Sequence, residues 1–333
     1  MSARVGVEAR GGLHCETSTL GVLARHRGVG LSEPMLFGLG AGLSFVYWDA
    51  KAMDFPFLGG RVRPFEVTRV LAARLGWGLR VWETASPRRA WENVAGVLEA
   101  GDPVGLQLDS SRLEYFSSRV PFAGHVVALY GHDGRDAFLV DTGQQGGAVS
   151  TSLASLAEAR AARGPMSARH RSFALDVPEG FSASPQRLRG AVLDAIVACA
   201  EAFLRPPIAN LGCRGIEKAG RLAPGWWERA REPGCDLPLA ASLMERGGTG
   251  GALFRNLYRD FLAECAEFVD DGALRAGHRG YAEAAVLWSE VAAALARAGE
   301  TGDRGALVRA GAVLGEVARV EREAMGALRG LGG

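Results

Sequence analysis

Apolar and polar positions along the first 180 residues alternate between two periods. Gly12–Arg27 carries apolar residues at helical spacing and is closed by Gly28, with Cys15 in its opening turn. Ser32-Glu33-Pro34 reads as the start of a short helix ending at Gly40, because a capping serine precedes an early proline. Leu43–Trp48 is strand-like, Pro64–Leu75 helical, and Leu79–Trp82 a strand. Ser86-Pro87 opens a helix with Trp91, Val94 and Leu98 on one face and Gly101 beyond its end. Val104–Leu108, His125–Tyr130 and Ala137–Val140 follow as strands, the last two joined by a connection carrying Asp133-Gly134. Ser150–Ala162 reads as a helix and Ser172–Val177 as a final strand.

Beyond Pro178-Glu179-Gly180 the strand period disappears. Residues 184–204, 215–230, 237–246, 252–271, 279–299 and 304–329 all show helical spacing with short Gly- and Pro-punctuated loops. The expected fold class is therefore α+β: a domain over 1–180 with a largely antiparallel sheet, then an all-α domain over 181–333. No fixed-period repeat or low-complexity segment interrupts either part.

Composition adds constraints. A chain of 333 residues, 48% hydrophobic and 23% charged, is long enough for two buried cores. A formal net charge of +1 gives no global field favouring nucleic acid, and no partner of that kind is expected. No run of 18 apolar residues argues for a membrane, and the N-terminal residues lack the apolar stretch of a secretion signal, so a cytoplasmic location is expected. The five cysteines (Cys15, Cys199, Cys213, Cys235, Cys265) are odd in number and lack a C-x-x-C pair, which suits reduced thiols rather than a disulfide framework.

The stretch Leu13-His14-Cys15-Glu16-Thr17-Ser18-Thr19-Leu20 sets a cysteine at a helix start, where unpaired N–H groups favour a thiolate. A nucleophilic thiolate needs a base, and the base an orienting group. His125 begins one apolar strand and Asp141 ends the next; with a turn centred near Asp133-Gly134, His125 falls opposite a position near residue 142, within one residue of Asp141. A Cys…His…Asp order, cysteine on an early helix and the other two on a later hairpin, is the papain-like arrangement. The plainer readings stay open: Cys15 as a small core residue, His125 as a strand-end histidine, Asp141 as a turn aspartate before Thr142-Gly143. His14 suits a helix cap or a supporting group better than a base, and His132 sits at the hairpin tip. Zinc on His14, Cys15, His125 and Asp141 lacks a short-spaced ligand pair, so no metal is expected.

The segments that carry this chemistry also resemble a known family. His14–Trp48, HCETSTLGVLARHRGVGLSEPMLFGLGAGLSFVYW, is similar to the start of the butirosin biosynthesis protein H family, and Gly124–Gly143, GHVVALYGHDGRDAFLVDTG, to its later His…Asp hairpin. GIEKAGRLAPGWW (Gly215–Trp227) and ERGGTGGALFRNLYRDFLAE (Glu245–Glu264) resemble the helical domain of unknown function that commonly follows. The resemblance covers nearly the whole chain. It implies a papain-like acyltransferase of natural-product (antibiotic) biosynthesis, the founding member moving an amino-hydroxy-acyl group from a carrier-protein thioester to an aminoglycoside amine. Carried over, Cys15 is the nucleophile, His125 the general base and acid, and Asp141 the orienter. More distant double-glycine leader peptidases place an oxyanion-hole glutamine before the cysteine; here that region reads Glu8-Ala9-Arg10-Gly11-Gly12. The Cys15 N–H is one donor that fits and Gln107 a second candidate.

The implied cycle is attack of Cys15 on the thioester, then resolution of the acyl-enzyme by an amine or hydroxyl. The partners are an acyl or peptidyl carrier protein, whose phosphopantetheine arm carries the acyl group, and a small-molecule acceptor; no cofactor is held by the enzyme. Glu245, Arg255 and Tyr258 are substrate-binding candidates around the Glu245–Gly251 turn, which as plainly reads as a helix cap and loop. Arg255 and Arg259, four apart, could face an acidic carrier protein. A cysteine hydrolase on the same triad and a non-catalytic carrier-binding protein are the alternatives. The helical second domain favours transfer, since a plain peptidase would not need it. Acyl group, acceptor, cyclisation or dimerisation of one substrate, and homo-oligomerisation stay open.

Overall fold

The computed structural model describes residues 2–118 and 120–331. The chain forms two compact units, one from the N-terminal residues through Leu36 plus Arg63–Ser184, the other from Phe37–Val62 plus the residues from Pro185 onward.

The first unit contains β1 (Ala3–Arg4), α1 (Cys15–His26), α3 (Glu66–Leu75), β4 (Gly78–Trp82), α4 (Pro87–Glu99), β5 (Val104–Leu108), β6 (His125–His132), β7 (Asp136–Val140), β8 (Ala148–Ser152), α5 (Leu153–Ala161) and β9 (Ser172–Asp176). Its sheet runs β4-β9-β5-β6-β7-β8, with β1 added to β6, and every pairing is antiparallel. Strand β6 is buried on both faces, which is why His125–Tyr130 reads as a continuous apolar run rather than an alternation. Val127 and Leu129 pack with Val94, Val97 and Leu98 of α4 and Leu156 and Ala159 of α5. Ala128 and Tyr130, on the other face, meet Val22 of α1. Every residue of α1 from Cys15 to Ala24 is buried, so its polar residues need partners inside the protein.

The chain passes into the second unit within α2 (Glu33–Leu39), whose start is capped by Ser32, the Met35 N–H donating to Ser32 Oγ at 3.0 Å. That unit holds a two-stranded antiparallel ribbon, β2 (Leu43–Trp48) with β3 (Phe57–Arg61), and helices α6 (Pro185–Leu204), α7 (Gly212–Leu222), α8 (Trp226–Arg229), α9 (Pro233–Arg246), α10 (Arg255–Ala266), α11 (Gly272–Thr301) and α12 (Arg304–Arg329). Residues 37–62 were expected with the sheet domain; they pack with the helices instead. Phe45 lies against Trp288 and Tyr47 stacks on Trp226, contacts between segments more than 170 positions apart that local pattern does not encode. Trp226 itself is core.

Three further differences from the pattern are local. Strand β3 carries no strand signal in the sequence because Gly59-Gly60 erases its alternation. The helix expected from Ser150 begins at Leu153, since Ala148–Ser152 pairs with β7 and Ser152 then caps the helix. The β6–β7 connection spans Asp133–Arg135, with a bulge between Leu129 and Gly131, and the pairing ends at Ala128 with Val140, the residue before Asp141. Among the described residues no helix is long and apolar enough to cross a membrane.

Candidate active site

Cys15 is the first residue of α1, and the loop before it is shaped by two glycines. A Cβ on Gly11 would fall 2.2 Å from the Asp141 carbonyl oxygen, and one on Gly12 would fall 2.5 Å from the Glu33 carboxylate. The Gly143 N–H donates to the Gly12 carbonyl at 2.7 Å, tying this loop to the end of β7. Glycine at position 11 thus lets the cysteine loop approach Asp141, and glycine at position 12 lets it approach Glu33.

Glu33 holds the same loop from its other side. Its carboxylate accepts from the Leu13 N–H and the His14 N–H, both at 2.7 Å, and from the Thr17 hydroxyl at 2.8 Å. Ser18 Oγ accepts from the Gly12 N–H at 2.8 Å. Cys15 opens α1, and helix geometry leaves its N–H without an intrahelical acceptor. Glu16 is wholly buried and points elsewhere: it accepts from Phe65 N, Thr68 N and Thr68 Oγ1 at 2.9–3.1 Å, capping α3. Glu16→Ala strands those donors and is expected to cost about 2–4 kcal/mol. Urea unfolding checks it; a loss under about 0.5 kcal/mol would remove the capping role.

His125 joins the two remaining groups. Its Nε2 lies 2.8 Å from Asp141 Oδ2, and the ring is near enough to the Cys15 side chain for the sulfur to act on its charge. Phe116 and Phe122 meet the imidazole edge-on, with ring centroids 5.3 and 6.5 Å away. Burial works against a charged imidazole here, yet the Asp141 carboxylate and the Cys15 sulfur outweigh it and raise His125 from 6.5 to about 10. Burial alone would raise Asp141; His125 and the donors Thr142 N and Tyr115 OH outweigh it, so the carboxyl lies below its ordinary value. Tyr115 OH donates to Asp141 Oδ2 at 2.8 Å, and burial beside that carboxylate pushes the phenol up, so it stays a donor. Cys15 and His125 are 6% and 5% exposed, a nearly closed site.

Cys15, His125 and Asp141 therefore meet, across more than 120 residues of chain. The other candidates do not join them. Gln107 spends both amide hydrogens on the carbonyls of Ala123 (3.2 Å) and Met166 (2.7 Å), and its Oε1 accepts from Arg171; it is committed to loop structure, not to an oxyanion. His14 turns its Nδ1 to Thr17 Oγ1 at 3.2 Å. In the helical unit, Glu245 accepts from Ala252 N and Ser289 Oγ, which fixes the glycine-rich turn as a structural loop. Arg255 is fully buried against Glu321 and presents no surface to a carrier protein, and Tyr258 is fully buried among Phe261 and Tyr281. Glu16, Thr17, Ser18, Glu33 and Tyr115 were not singled out. A run of polar residues inside a wholly buried helix was the available signal for the first three; nothing local marks Tyr115.

Comparison with protein families returns two matches. The butirosin biosynthesis protein H, N-terminal family model matches residues 14–142, and the domain of unknown function DUF4872 matches residues 154–328. No curated protein matches the chain.

Proposed function

The chain belongs to the butirosin biosynthesis protein H family, a family of biosynthetic enzymes, and on that premise we propose that it is a cysteine-dependent acyltransferase of papain-like design. The observation that carries this reading is one imidazole hydrogen-bonded to a buried carboxylate and set beside a cysteine that opens a helix. Cys15 thiolate attacks the carbonyl carbon of a carrier-bound thioester. The carbon–sulfur bond to the carrier breaks, and the departing thiolate takes the proton held by His125. An amine or hydroxyl then gives its proton to His125 as it attacks the acyl-enzyme, and the bond to Cys15 breaks to leave an amide or ester. The Cys15 N–H supports the oxyanion. Asp141, held by Tyr115 and Thr142, keeps the ring oriented, and Phe116 and Phe122 limit the water that would turn transfer into hydrolysis. Donor and acceptor are a cytoplasmic carrier protein's phosphopantetheine thioester and a small molecule.

The test is intact-mass detection of an acyl adduct after mixing the protein with an acyl-pantetheine thioester, followed by peptide mapping. The adduct is expected on Cys15. Its appearance only on the exposed Cys235 overturns the reading, and thioester turnover with water despite a saturating amine makes the protein a hydrolase.

The pairing also sets a pH signature. Because the folded value of His125 lies above 6.5, the stability it contributes is complete below about 6.5 and is lost as pH rises through about 10. Ring resonances followed by NMR should titrate near 10, and Asp141→Asn should lower the midpoint, since burial then acts with less opposition. A wild-type midpoint near 6.5 contradicts the pairing.

A further inference from the structure

Between Glu158 and Asp176 the sequence carries Arg160, Arg163, Arg169, His170 and Arg171 and no acidic residue. Two of those arginines are spent on structure. Arg160 is buried and donates to the carbonyls of Ala90 and His170, and Arg171 pairs with Glu83 and donates to Gln107 Oε1. Arg163 and Arg169 are exposed; Arg163 donates only to the carbonyls of Ala161 and Ala162, and among the described residues neither guanidinium has a carboxylate partner. Between them Met166 is 41% exposed.

The loop that presents these side chains is held in shape. Thr84 N donates to the Arg169 carbonyl at 2.9 Å, Ser167 N to the Gly164 carbonyl at 3.2 Å, and Gln107 Nε2 to the Met166 carbonyl at 2.7 Å. Met166 and His170 adopt left-handed backbone, with φ of 64° and 49°, conformations that cost a non-glycine residue free energy. Gln107 bonds the same amide group to Ala123, two residues before His125, so the loop is linked to the end of the sheet that bears the imidazole.

We propose that Arg163, Met166 and Arg169 form the docking surface for an acidic carrier protein that delivers the thioester to Cys15. This rests on the acyltransferase reading for the identity of the partner. Two exposed cations without carboxylate partners, three residues before and three after an exposed methionine in one loop, suit an acidic surface that carries an apolar residue. The phosphodiester of the arm carries negative charge too, but a single phosphate would favour a concave site with convergent donors, whereas Arg163 and Arg169 are both exposed side chains of a surface loop.

The test uses the full chain and an acetylated acidic acyl carrier protein, with acetyl-phosphopantetheine and acetyl-pantetheine as protein-free donors. Docking is read by anisotropy of labelled holo-carrier, and chemistry by the rate of adduct formation on Cys15. Arg163→Glu with Arg169→Glu is expected to weaken carrier binding at least tenfold and to leave the rate with acetyl-pantetheine within twofold. Arg163→Gln with Arg169→Gln should give an intermediate loss, and reversing acidic residues on the carrier should restore binding to the Glu variant. Unchanged carrier binding, or no carrier binding by the native chain, overturns the proposal. So does an equal loss with acetyl-phosphopantetheine, which would assign the arginines to the phosphate. Failure of acetyl-pantetheine to label native Cys15 sinks the acyltransferase reading separately, whatever the binding result.

Discussion

Cys15→Ala is expected to remove the acyl adduct altogether, and His125→Gln to slow its formation by roughly 1,000- to 10,000-fold, with melting temperatures close to the native one for Cys15→Ala. The sulfur forms the bond to the acyl carbon, so nothing replaces it. The imidazole is hydrogen-bonded to the buried carboxylate and lies beside the Cys15 side chain, and it gives up its proton in the first half-reaction and recovers one in the second. Asp141→Asn should fall between these and the native protein, because Tyr115 and Thr142 still fix the side chain's position while its charge is gone. Stopped-flow or quenched-flow detection of the adduct checks all three. Retention of more than a tenth of the native rate in His125→Gln would take the base away from His125.

The largest expected effect on stability lies in the helical unit. Arg255 Nε and Nη2 meet Glu321 Oε1 and Oε2 at 2.7 and 2.9 Å with both side chains fully buried, and Trp288 Nε1 donates to the same carboxylate at 2.6 Å. The guanidinium also lies 4.7 Å from the centre of the Trp288 ring. Glu321→Ala leaves a buried cation and an indole N–H without their acceptor, and is expected to cost about 3–5 kcal/mol. For a unit of this size that corresponds to a fall in melting temperature of about 6–20 °C. Replacing both partners together, Arg255→Met with Glu321→Leu, should recover most of the loss, since no buried charge remains. Scanning calorimetry decides it; a shift under 1 °C for the single variant would mean that water reaches the pair.

Arg255 shows how a local reading goes astray. In the sequence it is a charged residue beside a glycine-rich turn and four residues from Arg259, a pattern that suits a surface. Its partner is 66 positions away on another helix, and one-dimensional spacing says nothing about which helices face each other. Gln107 is the same kind of case: an amide one strand from the histidine is a reasonable oxyanion donor until two carbonyls are found on it.

What the amino-acid order determined by itself was whatever depends on neighbours within a few residues. The helical and strand periods, the caps at Ser32 and Ser86, and the placing of Cys15 at a helix start with His125 and Asp141 at the ends of one hairpin are all of this kind. Only the tertiary structure decided that Tyr115 and Glu33 brace the site, that residues 37–62 leave the sheet for the helices, and which arginines stay unpaired at the surface. Those outcomes depend on which distant groups a buried polar atom can reach. In a closed interior that choice follows from packing and from the cost of leaving a donor or charge unmet, neither of which is written in local order.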